Sequence, residues 1–184
     1  MKVLETPLSE RTVRALELGD IVYVSGDMIT GRDEMHLRAL ESNDKVTKRI
    51  RNAVIFHCGP IVTESSAGRE IIAAGPTTSA RMNSTAPDVI RRYGVRAVIG
   101  KGGMSKDVSE AMKEVGCVYL AATGGAAVSL AEGLTIEGAE WTDLGMAEAM
   151  WIMRANRFGP LIVAMDSKGN SLYENVMKDL KTRS

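Results

Sequence analysis

Only 4% of this 184-residue chain is aromatic, which argues against a base-stacking platform for single-stranded nucleic acid. Neither sign of charge prevails. The 23 Lys and Arg balance 23 Asp and Glu, so net charge gives no reason to expect nucleic acid or an anionic membrane as a partner. No apolar run approaches the ~20 residues of a membrane span. The opening Met1-Lys2-Val3-Leu4-Glu5 lacks the hydrophobic region of a signal peptide. A cytoplasmic location is therefore expected.

Cysteine is also scarce, with Cys58 and Cys117 the only two. Each falls in an apolar, strand-like run and reads as a buried inert thiol, and no disulfide is expected in the cytoplasm. Two cysteines cannot supply the usual thiolate set of an iron–sulfur cluster. His36 and His57 add neither an HxxxH nor a CxxC spacing. No metal ligands are expected on this chain, and any metal it works with is expected on another.

What is present is the balance of an ordinary globular protein, 45% hydrophobic and 25% charged, and residues 1–184 are read as a single domain. Ile21–Gly26 is a short apolar strand, and Thr30-Gly31-Arg32-Asp33 has the T-x-x-D form of a capping box before a helix through Met35, Leu37 and Leu40. Ala53–Cys58 reads as a strand stopped by Gly59-Pro60, and Ile71–Ala74 as another ended by Gly75-Pro76. Thr85 is a candidate N-cap with proline in the first turn. Val95–Ile99 and Cys117–Ala122 are strands on either side of a helix that Ser105 opens and Gly116 closes. A small-residue helix is expected from Thr123 through Leu130. Trp151–Arg154 and Leu161–Met165 read as two further strands, and Asp166–Asn170 as a turn. The whole is α/β, a mixed sheet with flanking helices and a β-rich, antiparallel C-terminal part.

Three loops place a cation beside glycines or at a helix start. Arg32 lies where a helix begins, and a cation there with free backbone N–H groups makes an anion-binding corner. Taken alone, the segment reads first as a surface arginine paired with Asp33 or His36. Gly75-Pro76-Thr77-Thr78-Ser79-Ala80-Arg81-Met82 follows a strand end with three hydroxyls and an arginine. If helical, it would set Thr77 and Arg81 on one side, and a guanidinium can hold a carboxylate bidentately. A hydroxyl-rich helix cap with a solvated arginine explains it as well. Gly100-Lys101-Gly102-Gly103 lacks the following Ser or Thr of a Walker loop and suits a point-charge contact to a small anion. His57 reads as a satisfied core histidine and His36 as a surface one. Together Arg32, Arg81 and Lys101, with Thr77 between them, describe a small polyanion site and fix no reaction.

These segments, in this order, resemble a known family. The resemblance runs from about Leu8 to about Asn175 and rests on Gly19-Asp20 with Ser25-Gly26, Thr30-Gly31-Arg32-Asp33-Glu34-Met35-His36 and His57-Cys58-Gly59-Pro60. It continues through Ala74–Met82, Gly100–Gly103 and Asp166–Asn170. The chain is similar to the β subunit, or C-terminal domain, of class I fumarases and L-tartrate dehydratases. The resemblance implies a swivelling β/β/α domain and a partner α subunit holding a four-iron, four-sulfur cluster. It implies a hetero-oligomer, with a homodimer open to the isolated chain, and a small dicarboxylate bound between subunits. Arg32, Arg81 and Lys101 match the family's carboxylate clamps and Thr77 its proposed base, with His36, Thr78 and Asn83 as supporting positions. Where the family often has Gly before the arginine and Asp after the methionine, Ala80 and Asn83 stand here. The activity implied is reversible hydration of fumarate to L-malate. Alternatives are the dehydration of L-tartrate or another hydroxy-dicarboxylate, and a non-catalytic anion-binding module of the same fold.

Overall fold

Short apolar runs between glycine, proline and charged turns set most of the strands, and a computed structural model describes residues 1–66, 68–122 and 130–182. In chain order the elements are β1 (Lys2–Glu5), α1 (Glu10–Arg14), β2 (Ile21–Thr30), α2 (Asp33–Glu41), β3 (Val54–Phe56), β4 (Ile61–Ser65) and β5 (Gly68–Ala73). Then come α3 (Ala86–Tyr93), β6 (Ala97–Gly100), α4 (Lys106–Val115), β7 (Val118–Ala121), β8 (Leu134–Glu140), β9 (Met150–Met165) and α5 (Leu172–Thr182). Single 3₁₀ turns occupy Lys45–Ile50, Ser79–Met82 and Thr142–Leu144. No helix among the described residues is long and apolar enough to cross a membrane.

The strands β1, β2, β3, β6 and β7 run parallel in that order, and β9 lies antiparallel to β7. The same β9 also pairs antiparallel with β2, from Ile21↔Ile162 to Ile29↔Ile152, so β2, β3, β6, β7 and β9 close into a ring. β8 adds an antiparallel edge on β9, and β4–β5 is a separate hairpin. The mixed sheet, the helices and the antiparallel C-terminal part match expectation. The closure of the ring does not follow from the sequence reading.

Strand alternation divides the core in two. Val22, Phe56, Ile99, Leu120 and Val163, one from each ring strand, join a single buried cluster. Within it the Phe56 and Phe158 rings meet edge to face at 5.1 Å. The alternate residues Ile55, Val98 and Tyr119 pack with Met35 of α2, Val89 and Ile90 of α3, and Val108 and Met112 of α4. Gly94 and Gly116 end α3 and α4 in the left-handed conformation, as expected of helix C-caps.

Several expectations are corrected. The two strands expected at Trp151–Arg154 and Leu161–Met165 are one sixteen-residue strand. Gly159-Pro160 does not break it, because Arg157 and Gly159 take positive φ in a stretch where the register with β2 slips. Thr30 caps no helix. It ends β2, where its hydroxyl donates to Ala149 O and accepts from Trp151 N, and Arg32 is the N-cap of α2. Thr85 and Ser105 are N-caps by position, but neither side chain caps the helix it precedes. The strand expected at Ile71–Ala74 falls in β5, Gly68–Ala73, the second strand of a hairpin the reading did not foresee. Most of the small-residue helix expected from Thr123 lies outside the described residues.

Candidate active site

The parallel strands end side by side. Thr30 of β2 pairs with Phe56 of β3, and Phe56 pairs with Ile99 of β6. The chain leaves these ends as Gly31-Arg32, His57–Pro60 and Lys101–Gly103, and ligands of α/β sheets sit at this end. The segment after β5 returns across it. Thr77 N donates to His57 O at 2.7 Å, Lys101 N donates to Thr77 O at 3.3 Å, and Ser79 N donates to Lys101 O at 3.1 Å. Thr77 and Lys101 are thus fixed through backbone hydrogen bonds. Thr77 is half-buried, while Thr78, Arg81 and Lys101 are exposed.

The helix that would have put Thr77 and Arg81 on one side is absent. Thr77 and Thr78 continue the strand-like crossing, and a 3₁₀ turn starts only at Ser79. Arg81 nonetheless reaches the neighbouring loop, donating from Nη2 to Asp33 Oδ2 at 2.7 Å. With the two side chains 50% and 28% exposed, that pair contributes little to stability. Asn83 ends the turn and accepts Ser105 N at 3.1 Å, tying the threonine loop to the start of α4 beyond the Lys101 loop.

Arg32 is more enclosed. Its Nε lies 3.1 Å from Glu148 Oε1, within ion-pair distance but without hydrogen-bond alignment. The other Glu148 oxygen accepts Glu34 N in the first turn of α2 at 3.1 Å. Arg32 thus pairs with Glu148 rather than with Asp33 or His36, and the carboxylate that meets it also accepts from the first turn of α2. Lys101, by contrast, enters no ion pair among the described residues.

Beneath the loops lies a buried polar group. His57 Nδ1 is 2.8 Å from Ser79 Oγ, and Tyr119 donates to that oxygen at 2.9 Å. Gly100 makes this possible, since a Cβ there would fall 1.9 Å from Ser79 Oγ. His57 is a core histidine, but Nε2 has no partner, so it is satisfied only on one side. His36 is not on the surface as expected. It is 1% exposed because α2 turns Met35, His36 and Ala39 inward, and its ring meets that of His57 edge-on at 5.3 Å. Thr85 Oγ1 is 3.4 Å from its Nδ1. Burial lowers the His36 pKa to about 4 against a smaller opposing pull from Asp33, and burial, then His36, lowers that of His57 well below the ordinary value.

Both cysteines are free and buried. Burial pushes the Cys58 thiol up to about 12 despite the opposing charge of Arg32, and burial raises Cys117 as well. Among the described residues no three His, Cys, Asp or Glu side chains are placed to hold a metal ion.

Sequence reasoning missed Glu148, Ser79 and Tyr119 as parts of this region. Ser79 stood inside a loop that was singled out, and Gly100, the glycine that ends β6, was its available signal. Glu148 carried none, as it lies 116 positions from Arg32 in the chain.

Arg32, Thr77, Arg81 and Lys101 thus lie on three loops that meet through backbone hydrogen bonds and the Arg81–Asp33 pair. The chain belongs to the family described as Fumarase C-terminus, whose model matches residues 2–176. It is 44% identical over 176 residues to "Putative L(+)-tartrate dehydratase subunit beta" of Methanocaldococcus jannaschii, covering 93% of this chain and 90% of that one. It is 41% identical over 177 residues to "Putative fumarate hydratase class I" of Geobacillus stearothermophilus, covering 95% of this chain but 34% of that longer protein. To "L(+)-tartrate dehydratase subunit beta" of Escherichia coli K12 it is 37% identical over 172 residues, covering 93% and 86%.

Proposed function

We propose that this chain is the dicarboxylate-orienting subunit of a two-subunit iron–sulfur hydro-lyase. The observation that carries the reading is the crossing of Thr77 between His57 and Lys101, which puts one hydroxyl on the strand-end edge from which Arg32, Arg81 and Lys101 arise. Two carboxylates need cations at both ends, and a planar guanidinium meets a carboxylate bidentately. The same cations would stabilise the charge that grows on a carboxylate when the carbon beside it loses a proton. Thr77 Oγ1 is the atom assigned to that proton. A free hydroxyl is a weak base, and flanking cations favour its ionised form. The exposure of Thr78, Arg81 and Lys101 suits a half-site that a second chain covers.

The cluster belongs to the partner α subunit in this reading, and it would act as the Lewis acid on the substrate hydroxyl. Reversible hydration of fumarate to L-malate is the leading reaction. Dehydration of L-tartrate is the second, favoured by the names of two of the three relatives above. Anaerobic co-purification with the cognate α subunit, then assays on fumarate, L-malate and L-tartrate, tests both. Arg81→Ala in that complex is expected to lower kcat/KM by roughly a hundredfold or more. Failure to co-purify would favour a non-catalytic anion-binding module, and near-normal kinetics in the variant would remove Arg81 from the site.

A further inference from the structure

Glu148, 3.1 Å from Arg32 Nε, is an acidic residue beside a clamp that the functional reading leaves unused. It sits in a turn before β9, where Glu148 N and Ala149 N both donate to Gly145 O, at 3.1 and 2.8 Å. That turn is bolted to the end of β2. Thr30 Oγ1 donates to Ala149 O, Trp151 N donates to Thr30 Oγ1, and Trp151 Nε1 donates to Met146 O at 2.8 Å. The strand that delivers Arg32 is therefore the strand that anchors Glu148.

Two roles suit a carboxylate beside an anion clamp: it can compete with the substrate, or it can hold the clamp in place. Burial decides between them. The Arg32 and Glu148 side chains are only 20% and 18% exposed, and both Glu148 oxygens are engaged, one by Arg32 Nε and one by Glu34 N. Displacing Glu148 would strand a mostly buried carboxylate, a costly outcome. Arg32 faces Glu148 with its Nε side at ion-pair distance, which leaves the Nη pair to act as a fork. Nη1 rests over Gly59, where a Cβ would fall 2.6 Å from it and 2.8 Å from Ala147 O.

We infer that Glu148 is a positioning residue that fixes the Arg32 guanidinium by its Nε edge, with Gly59 as its floor, so that the two Nη groups face an incoming carboxylate. This rests on the functional reading above as far as the carboxylate is concerned. The fixing of Arg32 does not.

The test has two arms. In the assembled enzyme, Glu148→Gln should raise KM for the dicarboxylate by roughly tenfold with a smaller change in kcat, the mark of weakened ground-state binding. Gly59→Ala should move KM the same way by lifting the fork. An unchanged KM in Glu148→Gln would overturn the proposal, and a lowered KM would show competition instead. In the isolated, full-length chain, ¹⁵N–¹H spectra of arginine side chains provide a readout independent of turnover. The Arg32 Nε–H, assigned by its loss in Arg32→Lys, should be protected from solvent exchange in the parent and exposed in Glu148→Gln. Rapid exchange in the parent, or no change in the variant, would also overturn it. An assembly that turns over nothing would defeat the functional reading and leave the spectral arm to decide the positioning.

Discussion

His57 Nδ1 lies 2.8 Å from Ser79 Oγ, and the Tyr119 hydroxyl of β7 donates to the same oxygen. One serine thus serves two large, fully buried side chains. Ser79→Ala strands both and is expected to lower unfolding stability by about 2–4 kcal/mol. Tyr119→Phe removes a donor and leaves His57 served, so about 1 kcal/mol is expected. The double variant should lose less than the sum, because phenylalanine leaves no stranded hydroxyl. Urea unfolding of the three variants measures this.

Gly100 gives that serine its place. A methyl group at Gly100 would lie 1.9 Å from Ser79 Oγ and 3.0 Å from the Tyr119 hydroxyl. Gly100→Ala should cost about 2–3 kcal/mol through overpacking. Gly138→Ala is the control, since its Cβ would meet only Ile152 Cδ1 at an ordinary 3.4 Å. A Gly100 variant as stable as the control would contradict the packing described.

Acid should weaken the fold before carboxylates titrate. His36 falls from an ordinary pKa of 6.5 to about 4 in the folded chain, and His57 is lowered also. The unfolded chain then binds more protons than the native one below pH 6.5, so stability present above that pH is lost as pH falls towards 4. The His36 share is about 3 kcal/mol at one pKa unit per 1.4 kcal/mol. Unfolding free energies measured from pH 7 to 4 should decline through this window, and His36→Gln should flatten the slope.

Cys58 and Cys117 should resist alkylation. Burial holds both thiols protonated, Cys58 with a pKa of about 12. Iodoacetamide at pH 8 should add to neither in the native chain and to both in urea, counted by intact mass. Rapid labelling of Cys58 in the native chain would show that this loop opens.

In the assembled enzyme, Thr77→Val keeps the side chain's shape and removes its hydroxyl. Turnover should fall by roughly 10²–10⁴-fold with little change in stability, and Thr77→Ser should keep most activity. Equal activity in valine and serine variants would remove Thr77 from the chemistry.

The sequence was most readable where a residue's meaning is local. Val54–Phe56, Ala97–Gly100 and Val118–Ala121 were visible as apolar runs, and Gly94 and Gly116 stop helices by conformation alone. The loops bearing Arg32, Thr77, Arg81 and Lys101 were visible because glycine and proline frame them. Contacts between distant positions were not. His36 reads as polar and exposed until α2 is docked, and only then does its face turn inward. Thr30 fits a capping pattern, yet its hydroxyl is taken by Ala149 and Trp151 from the far end of the chain. Trp151–Arg154 and Leu161–Met165 read as two strands because a local rule cannot see that β2 tolerates a slipped register between them.

The single strand β9 touches β2, β7 and β8, so its residues are the last part of the ring to leave the ribosome. Until about Met165 has emerged, β2 has an open edge and neither Glu148 nor Trp151 can reach the turn that carries Arg32. Thr77 and Lys101 can meet earlier, because both precede residue 102. The two halves of the edge thus differ in reach: Thr77 meets Lys101 within a short stretch of chain, whereas Arg32 meets Glu148 only across 116 positions.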